Sequence, residues 1–228
     1  TNKDVPKHKG ISLLLCPVDQ SGVEMRPIEM LSGESDFNET FFTNARTAKG
    51  NVIGEVNGGW AVAMTLLGYE RGESAATMPI MFRYEMDKLI DLVVKKNKNT
   101  SPEIRQRVAQ SYIEVEIMRL LGMRTLTGFL KGNQPGPQES MFKLYWSEYH
   151  KRITELALDV LGNESLVISG ARASTSFHAD NPGAPNESAS WIGAFYNARA
   201  GTIYAGTSQI QRNILGEIVL GLPKEPRL

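Results

Sequence analysis

The feature that most constrains this chain is a helical rhythm. It begins at Gly59 and runs without a clear stop to about Lys96. Trp60, Ala63, Met64, Leu67, Glu70, Arg71, Ser74, Met78, Met81 and Phe82 fall at steps of three and four. That spacing lines one face of an α-helix. Gly68, Gly72 and Pro79 weaken the run locally, and Pro79 predicts a kink or a backbone carbonyl that must be satisfied elsewhere. A helix of ~37 residues spans roughly 55 Å at 1.5 Å per residue.

The following segments predict further helices. Ser101-Pro102-Glu103 is a helix start: a Ser cap, Pro in the first turn, then an acid favoured by the helix dipole. Ile104, Val108, Tyr112, Val115 and Met118 form one stripe of the second helix, and Ile113, Ile117, Leu120 and Leu121 a second stripe. Two stripes predict two neighbours. Gln134-Pro135-Gly136-Pro137 breaks the chain, and a third helix carries Phe142, Tyr145, Trp146, Tyr149, Ile153, Leu156, Ala157 and Val160 in register. Residues 162–188 are rich in Gly, Ser, Asn, Pro and Ala and predict a long loop. The last helices are expected over Ala189–Ala200 and Thr207–Leu220, with Gly221 and Pro223 as the stop.

Before residue 52 the character differs. Gly10–Cys16 is a short apolar run ended by Pro17, Val23–Arg26 alternates, and Phe37–Phe42 reads as a third strand. Turn signals at Ser21-Gly22 and Ser32-Gly33 predict a three-stranded meander, too small to bury two faces. Residues 1–51 therefore read as the end of a β-barrel-like domain, and 52–228 as an antiparallel bundle of four to five helices. The fold class expected is mostly α.

Composition removes several function classes. Lys plus Arg number 25 and Asp plus Glu number 25, a formal net charge of zero, which argues against a nucleic-acid or polybasic membrane-surface binder. No apolar run approaches the ~20 residues of a membrane span. The lone Cys16 cannot form an internal disulfide, so a reducing, cytoplasmic setting is expected. The three histidines, His8, His150 and His178, have no ligand spacing, so no metal site is expected. The start Thr-Asn-Lys-Asp lacks an initiator Met, and the chain reads as a fragment.

Two places could carry chemistry. Glu70 and Arg71 lie within the apolar stripe of the long helix, where desolvation would raise a carboxylate's pKa and suit it to proton abstraction. The alternative is a structural Glu–Arg ion pair. The second place is Tyr204-Ala205-Gly206-Thr207-Ser208-Gln209-Ile210-Gln211-Arg212, a small-residue turn leading into a helix capped by Thr207 or Ser208. Its free N–H groups could receive a polar cofactor edge, or it could be an ordinary capped helix. Gly58-Gly59 reads as a hinge, and Lys95, Lys96 and Lys98 as solvated charge at a helix C-terminus.

In order, the segments Lys9-Gly10-Ile11-Ser12, Phe37-Asn38-Glu39, Asn51-Val52-Ile53-Gly54-Glu55, Asn57-Gly58-Gly59-Trp60 and Tyr204–Ile214 resemble the acyl-CoA dehydrogenase family of flavoenzymes. The resemblance covers nearly the whole chain. It implies a C-terminal helical bundle of that family's type, preceded by the end of its middle β-domain. It also implies FAD as cofactor, an acyl-CoA substrate and an electron-transfer flavoprotein as acceptor. Many members carry the α-proton base just before the Gly-Thr of the tail. Here that position is Ala205, which cannot serve. The isovaleryl-CoA and long-chain members place the base on the long helix beside an Arg, and Glu70-Arg71 matches them. The resemblance thus makes Glu70 the base, Arg71 a CoA contact, Leu67 and Tyr204 substrate-channel residues, and Thr207 and Gln209 flavin contacts.

Two departures matter. The family's Arg-x-x-Phe-Gly is replaced around Lys95–Asn99, and its Gln-x-x-Gly-Gly-x-Gly around Leu161-Gly162 to Gly170-Ala171. Both family segments reach into a neighbouring subunit's FAD site. The pattern is similar to that of two-gene bacterial dehydrogenases acting on CoA thioesters of sterol side chains. It implies an oligomer, homomeric or heteromeric and of tetramer size. A non-catalytic partner subunit, or a relative with acyl-CoA oxidase or nitroalkane oxidase chemistry, are the alternatives.

Overall fold

The computed structural model describes residues 1–133, 136–170 and 186–224, without the side chains of 68–74, 76 and 138. The chain forms two compact units, Thr1–Glu70 and Arg71–Leu228.

The first unit holds four short strands: β1 (Leu13–Leu14), β2 (Val23–Ile28), β3 (Phe37–Phe42) and β4 (Val52–Ile53). They make two separate ribbons and not the expected meander. β2 pairs antiparallel with β3, from Val23 opposite Phe42 to Ile28 opposite Phe37, whereas β1 pairs with β4. The reason is local. Pro17 ends the first run, and the segment after β3 returns to take the place β2 was expected to fill: Leu15 N–H donates to the Asn51 carbonyl at 2.9 Å. Met25, Ile28, Phe37, Phe41 and Phe42 stay exposed on the β2–β3 ribbon.

Gly58-Gly59, expected as a hinge, lies where the long helix starts. Gly59 N–H donates to Ile11 O at 2.9 Å. A Cβ on Gly59 would stand 2.4 Å from the backbone nitrogen of Leu13, so only glycine fits there.

Helix α1 (Gly59–Lys95) has 37 residues, as the rhythm predicted. It ends without a Gly or Pro. Asn97 takes φ 54°, and the Lys98 N–H reaches back to Val93 O at 3.0 Å while Asn97 N–H reaches Val94 O. This left-handed ending closes the last carbonyls of the helix. Helix α2 (Pro102–Leu130) begins as expected, with the Ser101 side chain accepting from Ile104 N–H. It ends the same way at Gly132, φ 81°.

The second unit is a helical bundle. α1, α2, α3 (Ser140–Leu161) and α4 (Ser188–Gly201) share one core of Phe82, Met86, Leu89, Val115, Met118, Trp146, Tyr149, Ile153, Leu156 and Trp191. α3 is the central element: its whole predicted stripe is buried except Tyr145, which is half-buried. The second stripe of α2 differs, with Ile113, Ile117 and Leu120 exposed and Leu121 packed against the core. After α4, helix α5 (Ser208–Asn213) continues into a π-helical turn over Ile214–Val219. Within the predicted loop, Gly162–Leu166 is a 3₁₀ turn, and residues 171–185 lie outside the described residues.

Two internal features fix the bundle. Pro79 lacks an N–H, which leaves the carbonyl of Ala75 without its partner in α1. That carbonyl faces Gly122 of α2 so closely that a Cβ there would lie 2.3 Å from it. The carbonyl freed by proline thus meets a glycine Cα across the helix pair, a contact of the Cα–H···O type. Deeper in, Glu85 of α1 and His150 of α3 are both fully buried, with Oε1 and Nε2 3.3 Å apart. No helix among the described residues is long and apolar enough to cross a membrane.

Candidate active site

The tail segment folds as a tight turn between α4 and α5. α4 stops at Gly201, and Ile203 N–H and Tyr204 N–H both return to Ala200 O, at 2.8 and 3.0 Å. The chain then reverses through Ala205 (φ 51°) and Gly206 (φ 90°). A positive φ is ordinary for glycine but strained for alanine, by about 1 kcal/mol or more. Thr207 is the cap: its Oγ1 accepts from Ile210 N–H at 3.2 Å. This resolves the open choice between Thr207 and Ser208. The Ser208 hydroxyl is used otherwise, donating to Glu148 Oε1 of α3 at 2.8 Å.

Side chains from the bundle hold the turn by its carbonyls. Lys143 Nζ of α3 donates to Gly201 O at 2.9 Å and Gly206 O at 2.7 Å. Gln211 Nε2 donates to Ala205 O at 3.0 Å and Gly206 O at 3.4 Å. Tyr204 packs against the core, its ring 6.4 Å from that of Trp146. Burial pushes its phenol up to about 12, so it stays neutral at working pH. Desolvation pushes the Lys143 ammonium down, with Glu148 opposing in part.

Tyr204, Thr207 and Gln209 are thus brought together on one turn. Gln209 is exposed, and its amide has no partner among the described residues. Thr207 keeps its hydroxyl proton after accepting from Ile210. Both can therefore donate outward to a bound polar group, which fits a flavin nucleotide. Leu67, Glu70 and Arg71 share a stretch of α1 at helical steps of three and four, the spacing of one face. Leu67 is exposed. The side chains of Glu70 and Arg71 lie outside the described residues. The buried carboxylate among the described residues of α1 is Glu85, which periodicity did not single out. Its partner His150 makes it a structural pair in the bundle core.

The two segments that depart from the family pattern meet in space. Lys96, in the first, makes an ion pair with Glu164, in the second. Lys96 is therefore paired, while Lys95 and Lys98 are exposed as expected from sequence.

Sequence reading missed Lys143, and it gave Gln211, inside the candidate segment, no role. Their partners are backbone carbonyls, which leave no trace in residue type, and a lysine on an amphipathic helix reads as surface charge.

Comparison with known proteins agrees with this layout. The family model for the acyl-CoA dehydrogenase C-terminal domain matches residues 57–220. The chain is 39% identical over 225 residues to acyl-CoA dehydrogenase IpdE1 of Mycolicibacterium smegmatis, covering 99% of this chain and 52% of that protein. It spans about half the length of the curated relatives it matches most strongly. Among solved structures it superposes on the Tcur3481-Tcur3483 steroid ACAD with TM-score 0.83, at 24% identity, covering 99% of this chain and 55% of that one. It superposes on the ChsE4-ChsE5 complex of Mycobacterium tuberculosis with TM-score 0.74, at 22% identity, covering 99% and 56%. At these identities the two structures show the shared fold. From the family match over residues 57–220, the chain belongs to the acyl-CoA dehydrogenase family, whose members depend on FAD.

Proposed function

We propose that this chain carries the catalytic base and one wall of the substrate channel of an FAD-dependent acyl-CoA dehydrogenase. The observation that carries this reading is a pair of residues. Ala205 offers no ionisable group at the turn before Gly206-Thr207, and Glu70 supplies a carboxylate on α1 one helical step from Leu67.

The Glu70 carboxylate takes the α-proton of the acyl thioester. The Cα–H electron pair becomes the new Cα=Cβ bond as hydride leaves Cβ. FAD, when bound, supplies the hydride acceptor. Arg71 serves as the CoA contact, and Leu67 and the neutral Tyr204 each serve as a substrate-channel residue. Thr207 and Gln209 donate to the flavin nucleotide. An electron-transfer flavoprotein would be the acceptor for the electrons held by the flavin. The substrate class proposed is a CoA thioester of a sterol-derived acyl group, on the strength of the pattern that resembles the two-gene bacterial dehydrogenases acting on sterol side chains.

We also propose that the working assembly is heteromeric and of tetramer size. The departures around Lys95–Asn99 and Leu161–Ala171 support it, because each falls where the family lends residues to a neighbour's FAD site. They also favour a second reading, a non-catalytic partner subunit of the same fold.

Glu70→Gln in the full-length enzyme with its partner separates the two. The catalytic reading expects an intact fold, retained flavin and kcat lowered at least a hundredfold, as loss of a general base gives. Unchanged kcat would leave the partner-subunit reading. Hydrogen peroxide release without an added acceptor would replace the dehydrogenase by an oxidase.

A further inference from the structure

The proposed chemistry gives Lys143 no task, yet its position is a demanding one. An ammonium on a four-carbon stem at a helix surface ordinarily extends into water. Lys143 is instead drawn under the α4–α5 turn, where desolvation lowers its pKa. Its hydrogen-bond partners there are two backbone carbonyls.

The choice of carbonyls is informative. Gly201 is the last residue of α4, and Gly206 directly precedes the Thr207 cap of α5. One ammonium therefore ties the exit of one helix to the entry of the next, across the residues that include Tyr204. A cation is also favoured at the C-terminal end of α4 by the helix dipole. One turn further along α3, Trp146 closes the same joint: a Cβ on Gly201 would come 3.3 Å from its ring, and the ring lies beside Tyr204. Gln211 clasps the Gly206 carbonyl from the other side.

We propose that Lys143 is a positioning residue: by fixing the Gly201 and Gly206 carbonyls it sets where Tyr204, Thr207 and Gln209 meet substrate and flavin. This rests on the reading of that turn as a ligand contact.

The test compares Lys143→Met and Thr207→Ala in the full-length flavoenzyme with its partner. Helical circular dichroism, flavin retained per protein, kcat and KM for a CoA thioester are measured. Lys143→Met is expected to keep the helical signal, lower kcat/KM at least tenfold and release flavin more readily. Lys143→Cys alkylated with 2-bromoethylamine restores an ammonium of the same reach. It should recover to within threefold of the parent, with the parent treated in parallel as the control for Cys16. A kcat/KM within twofold of the parent for Lys143→Met, beside an impaired Thr207→Ala, overturns the proposal alone. Both variants unchanged overturns the ligand-contact reading and the proposal with it. Should Lys143→Met not fold, Lys143→Gln, which removes the charge and shortens the reach but keeps two amide donors, takes its place with the same outcomes.

Discussion

At the residue scale the account turns on which side chains are charged and where. Tyr204 is held neutral by burial, with its phenol pushed up to about 12. An unfolded tyrosine titrates near 10. The native state therefore keeps a proton that the unfolded state loses between those values, and stability falls as pH rises through that window. Below about pH 10 the contribution is fully present. Two pKa units correspond to at most about 2.7 kcal/mol. Tyr204→Phe should flatten the loss of stability between pH 10 and 12 in denaturant titrations, while leaving the slope below pH 9 unchanged. Tyr149, fully buried and also pushed up, contributes a background in the same direction. An identical alkaline slope in the variant and the parent would show that Tyr204 is not buried as described.

At the element scale the long helix is the organising piece, and its Pro79 is accommodated by its neighbour. The proline frees the Ala75 carbonyl, and Gly122 of α2 leaves room for it. Gly122→Ala puts a Cβ 2.3 Å from a backbone oxygen that cannot swing away. Overpacking of this kind costs about 1–3 kcal/mol. A melting temperature lower by about 2–12 °C is expected, at 2–4 °C per kcal/mol for a domain of this size. An unchanged melting temperature would mean that the two helices do not cross so closely.

Much of this architecture was legible in the sequence. The three-and-four rhythm gave α1 its length, Ser101-Pro102 marked the start of α2, and the stripe of α3 marked the bundle centre. What was not legible depends on partners distant in sequence. β1 pairs with β4 and not β2, because strand pairing is decided by where the chain returns. Glu85 and His150 lie 65 positions apart and meet only once α1 packs on α3. At the candidate site, the turn and its cap could be read from Gly206-Thr207. The Lys143 and Gln211 clasp could not, since a carbonyl partner carries no residue signature.

At the scale of the whole molecule, the buried apolar core among the described residues begins at Ala75 and lies within the second unit. The first unit offers two ribbons, and Phe37, Phe41 and Phe42 of the β2–β3 ribbon remain exposed. Two-stranded ribbons are marginal alone.

The central claim is that a flavin site completed by another subunit uses Glu70 of this chain. Anaerobic bleaching of the flavin by a sterol-type CoA thioester tests it directly, on full-length protein purified alone and with its co-expressed partner. The account predicts a bound flavin that bleaches only in the paired form, and a paired Glu70→Gln form that keeps its flavin but does not bleach. Full flavin occupancy and bleaching by this protein as a homo-oligomer, or bleaching in the paired Glu70→Gln form, would contradict it.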